Sequence, residues 1–213
     1  MKTEVEIANG FAKTAAGEWL AAPGQPAAAF GRFTEKGLRG FLVPDRAAVR
    51  RIEVARGASE ENSSLWFAAA ERPFLTRLDA PPDDPLNLVS SKLLVAPVAA
   101  RLGAQRIRPI PMSLRASFAV TSFRGGWAVA ATASRVERIV VEAGQTLAVA
   151  PAALVGWIGK KPTGFCPRLG FLDLILPRTP RNFALDFHGE AVVWVEGAAT
   201  PALRRSARSR IPR

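Results

Sequence analysis

The chain has 213 residues, 48% hydrophobic and 22% charged, a composition that can bury a core and excludes wholesale disorder. A single cysteine, Cys166, excludes an intrachain disulfide, and no apolar run approaches the roughly 20 residues of a membrane-spanning helix. The net charge of +11 is concentrated: residues 203–213 and 101–124 each hold five arginines and no acid, whereas 58–85 holds six acids against two arginines.

The start, Met1-Lys2-Thr3-Glu4-Val5-Glu6, lacks the basic-then-apolar layout of a signal peptide. With the lone cysteine, this gives a cytoplasmic expectation. Residues 12–29 are alanine-rich but broken by Gly17, Pro23, Gly24 and Pro26, so they read as strand plus loop. Residues 49–54 alternate as a half-buried strand does, with two residues between them and Gly57. The segments 65–70 and 74–78 read as strands between two exposed loops, Glu60–Ser64 and Pro81–Pro85. Residues 96–105 carry the best helix signal, one or two turns limited by Pro97 and Gly103. Further strands are expected over 117–123, 127–132, 136–141, 182–187 and 191–196.

Two recurrences organise this series. Val49-x-Arg51-Ile52-x-Val54-x-x-Gly57 returns as Val136-x-Arg138-Ile139-x-Val141-x-x-Gly144. Each copy leads into a second shared run, Leu93-Leu94-Val95-Ala96-Pro97 and Leu147-Ala148-Val149-Ala150-Pro151. This pattern reads as a decayed duplication, with an insert of about 33 residues in the first copy forming a hairpin at one sheet edge. Gly57 and Gly144 are expected to take positive φ in tight hairpin turns, and Arg51 and Arg138 to face solvent or a neighbouring subunit. The second recurrence is Phe-x-Gly-x-x-x-Val, at Phe123–Val129 with Gly125 and at Phe187–Val193 with Gly189.

The expected fold class is all-β with little helix: a pseudo-duplicated antiparallel β-sandwich or barrel, double-stranded β-helix-like. It comprises one domain over 1–200, in halves of about 1–112 and 113–200. A basic, flexible tail follows over 201–213.

The order from Phe123-x-Gly125 through the stretch 138–149 to Phe187-His188-Gly189-Glu190-Ala191-Val192-Val193-Trp194 resembles the altered-inheritance-of-mitochondria family, over roughly residues 117–197. Trp194 falls on that family's tryptophan. The second glycine of its Phe-x-Gly-x-Gly turn is replaced, by Trp127 in one copy and Ala191 in the other. The resemblance implies a pseudo-repeated fold like that of the tryptophan RNA-binding attenuation protein. It also implies a homo-oligomer, trimeric or higher, and no catalytic site. RNA binding does not follow from a shared fold.

Chemistry-bearing patterns are sparse. His188 is the sole histidine and sits at a strand end, which suits a turn residue better than a catalytic base. One Cys and one His fall short of a zinc set. Asp79, Asp83 and Asp84 lie in a proline-rich loop. The segment 156–164 imitates a phosphate-binding loop but has Leu154 and Lys161 where a glycine and a Ser or Thr are required, so Lys160 and Lys161 read as exposed loop lysines. The five tryptophans read as packing residues, with base stacking as the alternative.

No catalytic, metal or cofactor residue is assigned, no cofactor is expected, and no small-molecule substrate is identified. The expected function is a non-enzymatic β scaffold or interaction protein that self-associates. The alternative is binding of nucleic acid or an anionic membrane through arginine-rich surfaces, with Arg204, Arg205, Arg208, Arg210, Lys160 and Lys161 as contacts.

Overall fold

Short alternating segments become strands throughout. The computed structural model describes residues 4–15, 17–22, 27–30, 32–36, 50–55, 64–69, 71–107, 118–165 and 184–197. Its strands are β1 (Val5–Ala8), β2 (Phe11–Ala15), β3 (Glu18–Ala21), β4 (Ala28–Phe30), β5 (Arg32–Lys36), β6 (Arg50–Ala55) and β7 (Ser64–Phe67). Then come β8 (Phe74–Ala80), β9 (Leu86–Val89), β10 (Leu93–Pro97), β11 (Arg101–Ile107), β12 (Phe118–Phe123) and β13 (Gly126–Thr132). The series ends with β14 (Val136–Val141), β15 (Thr146–Val149), β16 (Leu154–Gly159), β17 (Thr163–Phe165), β18 (Ala184–His188) and β19 (Ala191–Glu196). Among the described residues there is no α-helix. The helix expected over 96–105 is instead the end of β10, a single 3-10 turn (Val98–Ala100) and β11. Pro97 ends β10, paired with Trp19 of β3, and Gly103 penalises a helix interior.

The pairing scheme repeats three times. Call β2–β7, β8–β13 and β14–β19 the first, second and third sets. In each, the sixth strand is flanked by the first and the third, and the fifth by the second and the fourth. The first set does this through β2–β7, β4–β7, β3–β6 and β5–β6. The second does it through β8–β13, β10–β13, β9–β12 and β11–β12. The third does it through β14–β19, β16–β19, β15–β18 and β17–β18. Even a β-bulge recurs, between Leu93 and Val95 against β13 and between Leu154 and Gly156 against β19. Among the described residues the rows are open, giving an all-β sandwich rather than a closed barrel.

The chain divides into two compact units. One comprises Met1–Arg106 with Phe118–Ser134, the other Ile107–Ser117 with Arg135–Arg213. The first unit thus holds the first and second sets, joined by β3–β10 pairing, and the second holds the third. Strands β12 and β13, expected in a second half beginning at 113, group with the first unit.

This corrects the repeat read from the sequence. The two Val-x-Arg-Ile copies lie on β6 and β14, which hold different places: β6 has neighbours on both sides, β3 and β5, while β14 is the first strand of its set and pairs with β19. The second shared run fares the same way, falling on β10, a third strand, and β15, a second strand. Nor are residues 64–80 a hairpin insert. β7 pairs with β2 and β4, and β8 with β13, as the last strand of one set and the first of the next. The Phe-x-Gly recurrence, by contrast, falls on equivalent places, the corner from fifth to sixth strand. Phe123 and Phe187 are buried there, while Gly125 (φ 63°) and Gly189 (φ 77°) turn the chain.

Gly144 has φ 82° as expected, but its turn is not a hairpin. Gln145 N–H donates to Glu142 O (3.0 Å), closing a four-residue turn, and β14 and β15 then pair with different partners, β19 and β18. A β-carbon at Gly144 meets nothing within 4 Å, so substitution there is penalised by backbone conformation alone. Gly144→Ala is expected to destabilise by about 1 kcal/mol and Gly144→Val by about 2 kcal/mol, because a β-branched residue tolerates positive φ least. Denaturant midpoints of the two variants check this, and equal midpoints overturn it. Gly57 lies outside the described residues.

In the first unit the sheet β1-β2-β7-β4 packs its inner face, Ala12, Leu65 and Phe67, onto a layer carrying Trp19 and Ala21 of β3, Val95 of β10, and Trp127, Val129 and Ala131 of β13. Trp19 and Trp127 stack at 5.5 Å between centroids, and the Trp19 indole N–H donates to Ala15 O (3.2 Å). In the second unit the Trp157 and Phe187 rings meet edge to face at 5.9 Å, tying β16 to β18. Four of the five tryptophans, Trp19, Trp127, Trp157 and Trp194, are buried, in keeping with a packing role.

Candidate interaction face

The fifth tryptophan lies on the outer face of the first sheet. Asn9 (φ 50°) and Gly10 (φ 77°) form a two-residue turn of the kind that matches strand twist, and it folds β1 back on β2 with Ala8 opposite Phe11. Along β2 the side chains alternate strictly: Ala12 and Thr14 are buried, and Phe11, Lys13 and Ala15 are exposed. On β7, Leu65 and Phe67 point inward, so Trp66 points outward with Lys13. Register then lines up Glu6, Lys13, Trp66 and Ala28 across four strands. Phe30 reaches the same face, its ring 5.3 Å from that of Trp66, and the Lys13 ammonium sits 5.5 Å from the Trp66 centroid.

This face is apolar where water should be. Phe30 is 63% exposed and Phe11 41%, with Trp66 half-buried between. Scattered exposed apolar residues are ordinary, but three aromatics gathered on one sheet face are the usual mark of an interaction surface. A cation held over an indole adds attraction for a partner that buries it.

The residues singled out from sequence are dispersed. Lys160 and Lys161 are exposed in the loop from β16 to β17. Arg204, Arg205, Arg208 and Arg210, with Cys166, lie outside the described residues. Arg138 is exposed on β14 as expected, while the Arg51 side chain lies outside the description. His188 is exposed at the end of β18, its Nδ1 3.2 Å from Thr146 Oγ1. Among the described residues no group of three or more His, Cys, Asp or Glu could hold a metal ion. No helix among them is long and apolar enough to cross a membrane.

Sequence reasoning missed the aromatic face, because Phe11, Phe30 and Trp66 meet only through β2–β7–β4 pairing. It also missed Asp186. That carboxylate is buried on β18 opposite Ala148 and Thr163, and its Oδ1 has no hydrogen-bond partner among the described residues. The equivalent residue of the second set, Ser122, instead donates to Asn87 Oδ1 (2.8 Å) directly across the ladder. The signal was present, since Ser122 and Asp186 each precede the phenylalanine of a Phe-x-Gly corner.

The fold and face together define a repeated antiparallel β-sandwich bearing an exposed aromatic–cation surface. The chain matches no family model and no curated protein. Its fold is that of a solved structure, protein SPYM3_0169 from Streptococcus pyogenes. The TM-score is 0.68 at 15% identity, covering 97% of this chain and 96% of that one. At that identity the likeness shows the fold alone.

Proposed function

We propose that this protein is a non-enzymatic β scaffold that self-associates. The observation that carries this reading is the outer face of the first sheet, where Phe11 and Phe30 are left in solvent beside the half-buried Trp66. Burying such a face returns about 25 cal/mol per Å² of apolar area, a driving force that the isolated chain leaves unused. The resemblance of residues 117–197 to the altered-inheritance-of-mitochondria family supports the same reading. Sedimentation velocity on the purified chain across micromolar concentrations is expected to show a species heavier than the 22.8 kDa monomer. A monomer throughout sinks the proposal.

The second reading is binding of nucleic acid or an anionic membrane, favoured by the net charge of +11 and the five arginines of residues 203–213. It predicts affinity that falls steeply as salt rises. The self-association reading predicts the opposite trend.

A further inference from the structure

We infer that the outer face of the first sheet docks a second copy of this chain, face to face, so that the same patch on each copy covers the other. The inference rests on the self-association reading and specifies its surface.

The first argument comes from the repeat itself. In the second set, the strands equivalent to β2, β7 and β4 are β8, β13 and β10. There Arg77 lies opposite Val129, which lies opposite Val95, a row built like Lys13, Trp66 and Ala28. The Arg77 guanidinium reaches diagonally to the Trp127 ring, 5.7 Å from its centroid, where Lys13 lies over its direct partner Trp66 at 5.5 Å. The third set repeats the row once more, as Arg138, Trp194 and Gly156. Each set thus carries a cation on its first strand and an apolar residue on its sixth, with a third-strand residue no larger than it.

In the second set the structure shows what covers that face. It is another β-sheet of this protein, the inner side of β1-β2-β7-β4, whose Ala12, Leu65 and Phe67 bury Trp127 and Val129. The face in the first set carries a comparable row, yet Phe11 and Phe30 stand in solvent there and Trp66 is only half-buried. The occupant that suits it is a further β-layer of the same kind, and a second copy of the chain supplies one.

The second argument is self-complementarity. A two-fold interface must accept its own surface, residue i meeting residue j and the reverse. Here bulky Phe11, Trp66 and Phe30 alternate with small Ala8, Ala15 and Ala28, so the ridges of one copy can fill the hollows of the other. Glu6 and Lys13 are cross-strand neighbours on this face. A two-fold axis near them brings Glu6 of each copy to Lys13 of the other, so like charges are not forced together.

The charge of the whole chain then fixes the sign of the salt effect. Two copies at +11 repel at long range, and salt screens that repulsion while leaving apolar contact intact. Association through this face therefore strengthens with salt, whereas nucleic-acid binding weakens.

The test is sedimentation equilibrium on the full chain at about 50 mM and about 500 mM salt, conditions that shrink the Debye length from roughly 14 Å to 4 Å. Three variants accompany the wild type: Phe11→Asp with Phe30→Asp, Lys13→Glu, and Glu6→Lys with Lys13→Glu. Phe11 and Phe30 are exposed, so circular dichroism should show unchanged folding. The wild type is expected to associate more tightly at high salt, and the double aspartate variant to associate at least about 30-fold more weakly, as loss of one interface hot spot does. Lys13→Glu should weaken association, and the Glu6→Lys, Lys13→Glu swap should restore it. If the wild type is oligomeric but indifferent to the double aspartate change, self-association stands and this face is not its surface. A failed rescue by the charge swap overturns the two-fold arrangement, and a monomeric wild type at both salts overturns inference and function together.

Discussion

Gly159→Ala is expected to destabilise the second unit by about 2–4 kcal/mol, more than the same change at Gly144. Gly159 ends β16 with φ 102°, a conformation outside the wells open to residues with a β-carbon. An alanine β-carbon built there lies 2.7 Å from Glu190 O and 3.3 Å from Ala191 Cα. Both atoms are backbone and belong to the corner that launches β19, with Ala191 the register partner of Gly159. Neither can rotate away as a side-chain tip would. Strain and clash therefore add, unlike at Gly144, where the space is open and only the strain remains. Urea unfolding followed by tryptophan fluorescence measures the loss. A cost no larger than that of Gly144→Ala would mean that the Glu190–Ala191 corner yields freely.

Strand identity was legible in this sequence because burial on one face imposes a period of two. The expectations for 136–141 and 191–196 coincide with β14 and β19 to the residue. Place in the fold was not legible from the same signal. Val-x-Arg-Ile-x-Val is what any half-buried strand can use, so it recurs on β6 and β14 without marking equivalent positions. The Phe-x-Gly corner did mark them, because it combines a buried ring, a positive φ and a passage from one ladder to another, a set of demands met at few points of a chain. A single 3-10 turn followed by a strand was likewise indistinguishable from a short helix over 96–105, where alanines dominate. The aromatic face was out of reach for a different reason. The alternation of Phe11, Lys13 and Ala15 is visible locally, but only ladder register shows that Trp66 and Phe30 share their side.

That distinction between buried and facing tryptophans leads to the largest expected loss. Trp194→Ala should cost about 3–5 kcal/mol, as truncation of a core aromatic does. Its indole is 8% exposed on β19, flanked by Arg138 of β14 and Gly156 of β16. Gly156 follows the bulge at Leu154 and has no side chain, so the indole is the bulk that covers that part of the ladder. Alanine would leave a cavity beside backbone that no neighbour is built to fill. Trp66 occupies the corresponding sixth strand of the first set but is half-buried, so Trp66→Ala should cost far less stability and act on association instead. Thermal melts of the two variants, set beside their sedimentation behaviour, separate the roles. An unchanged melting temperature for Trp194→Ala would place that indole on the surface. A large loss for Trp66→Ala would show that the exposed face is held by its own fold, which would remove the reason for a second copy to cover it.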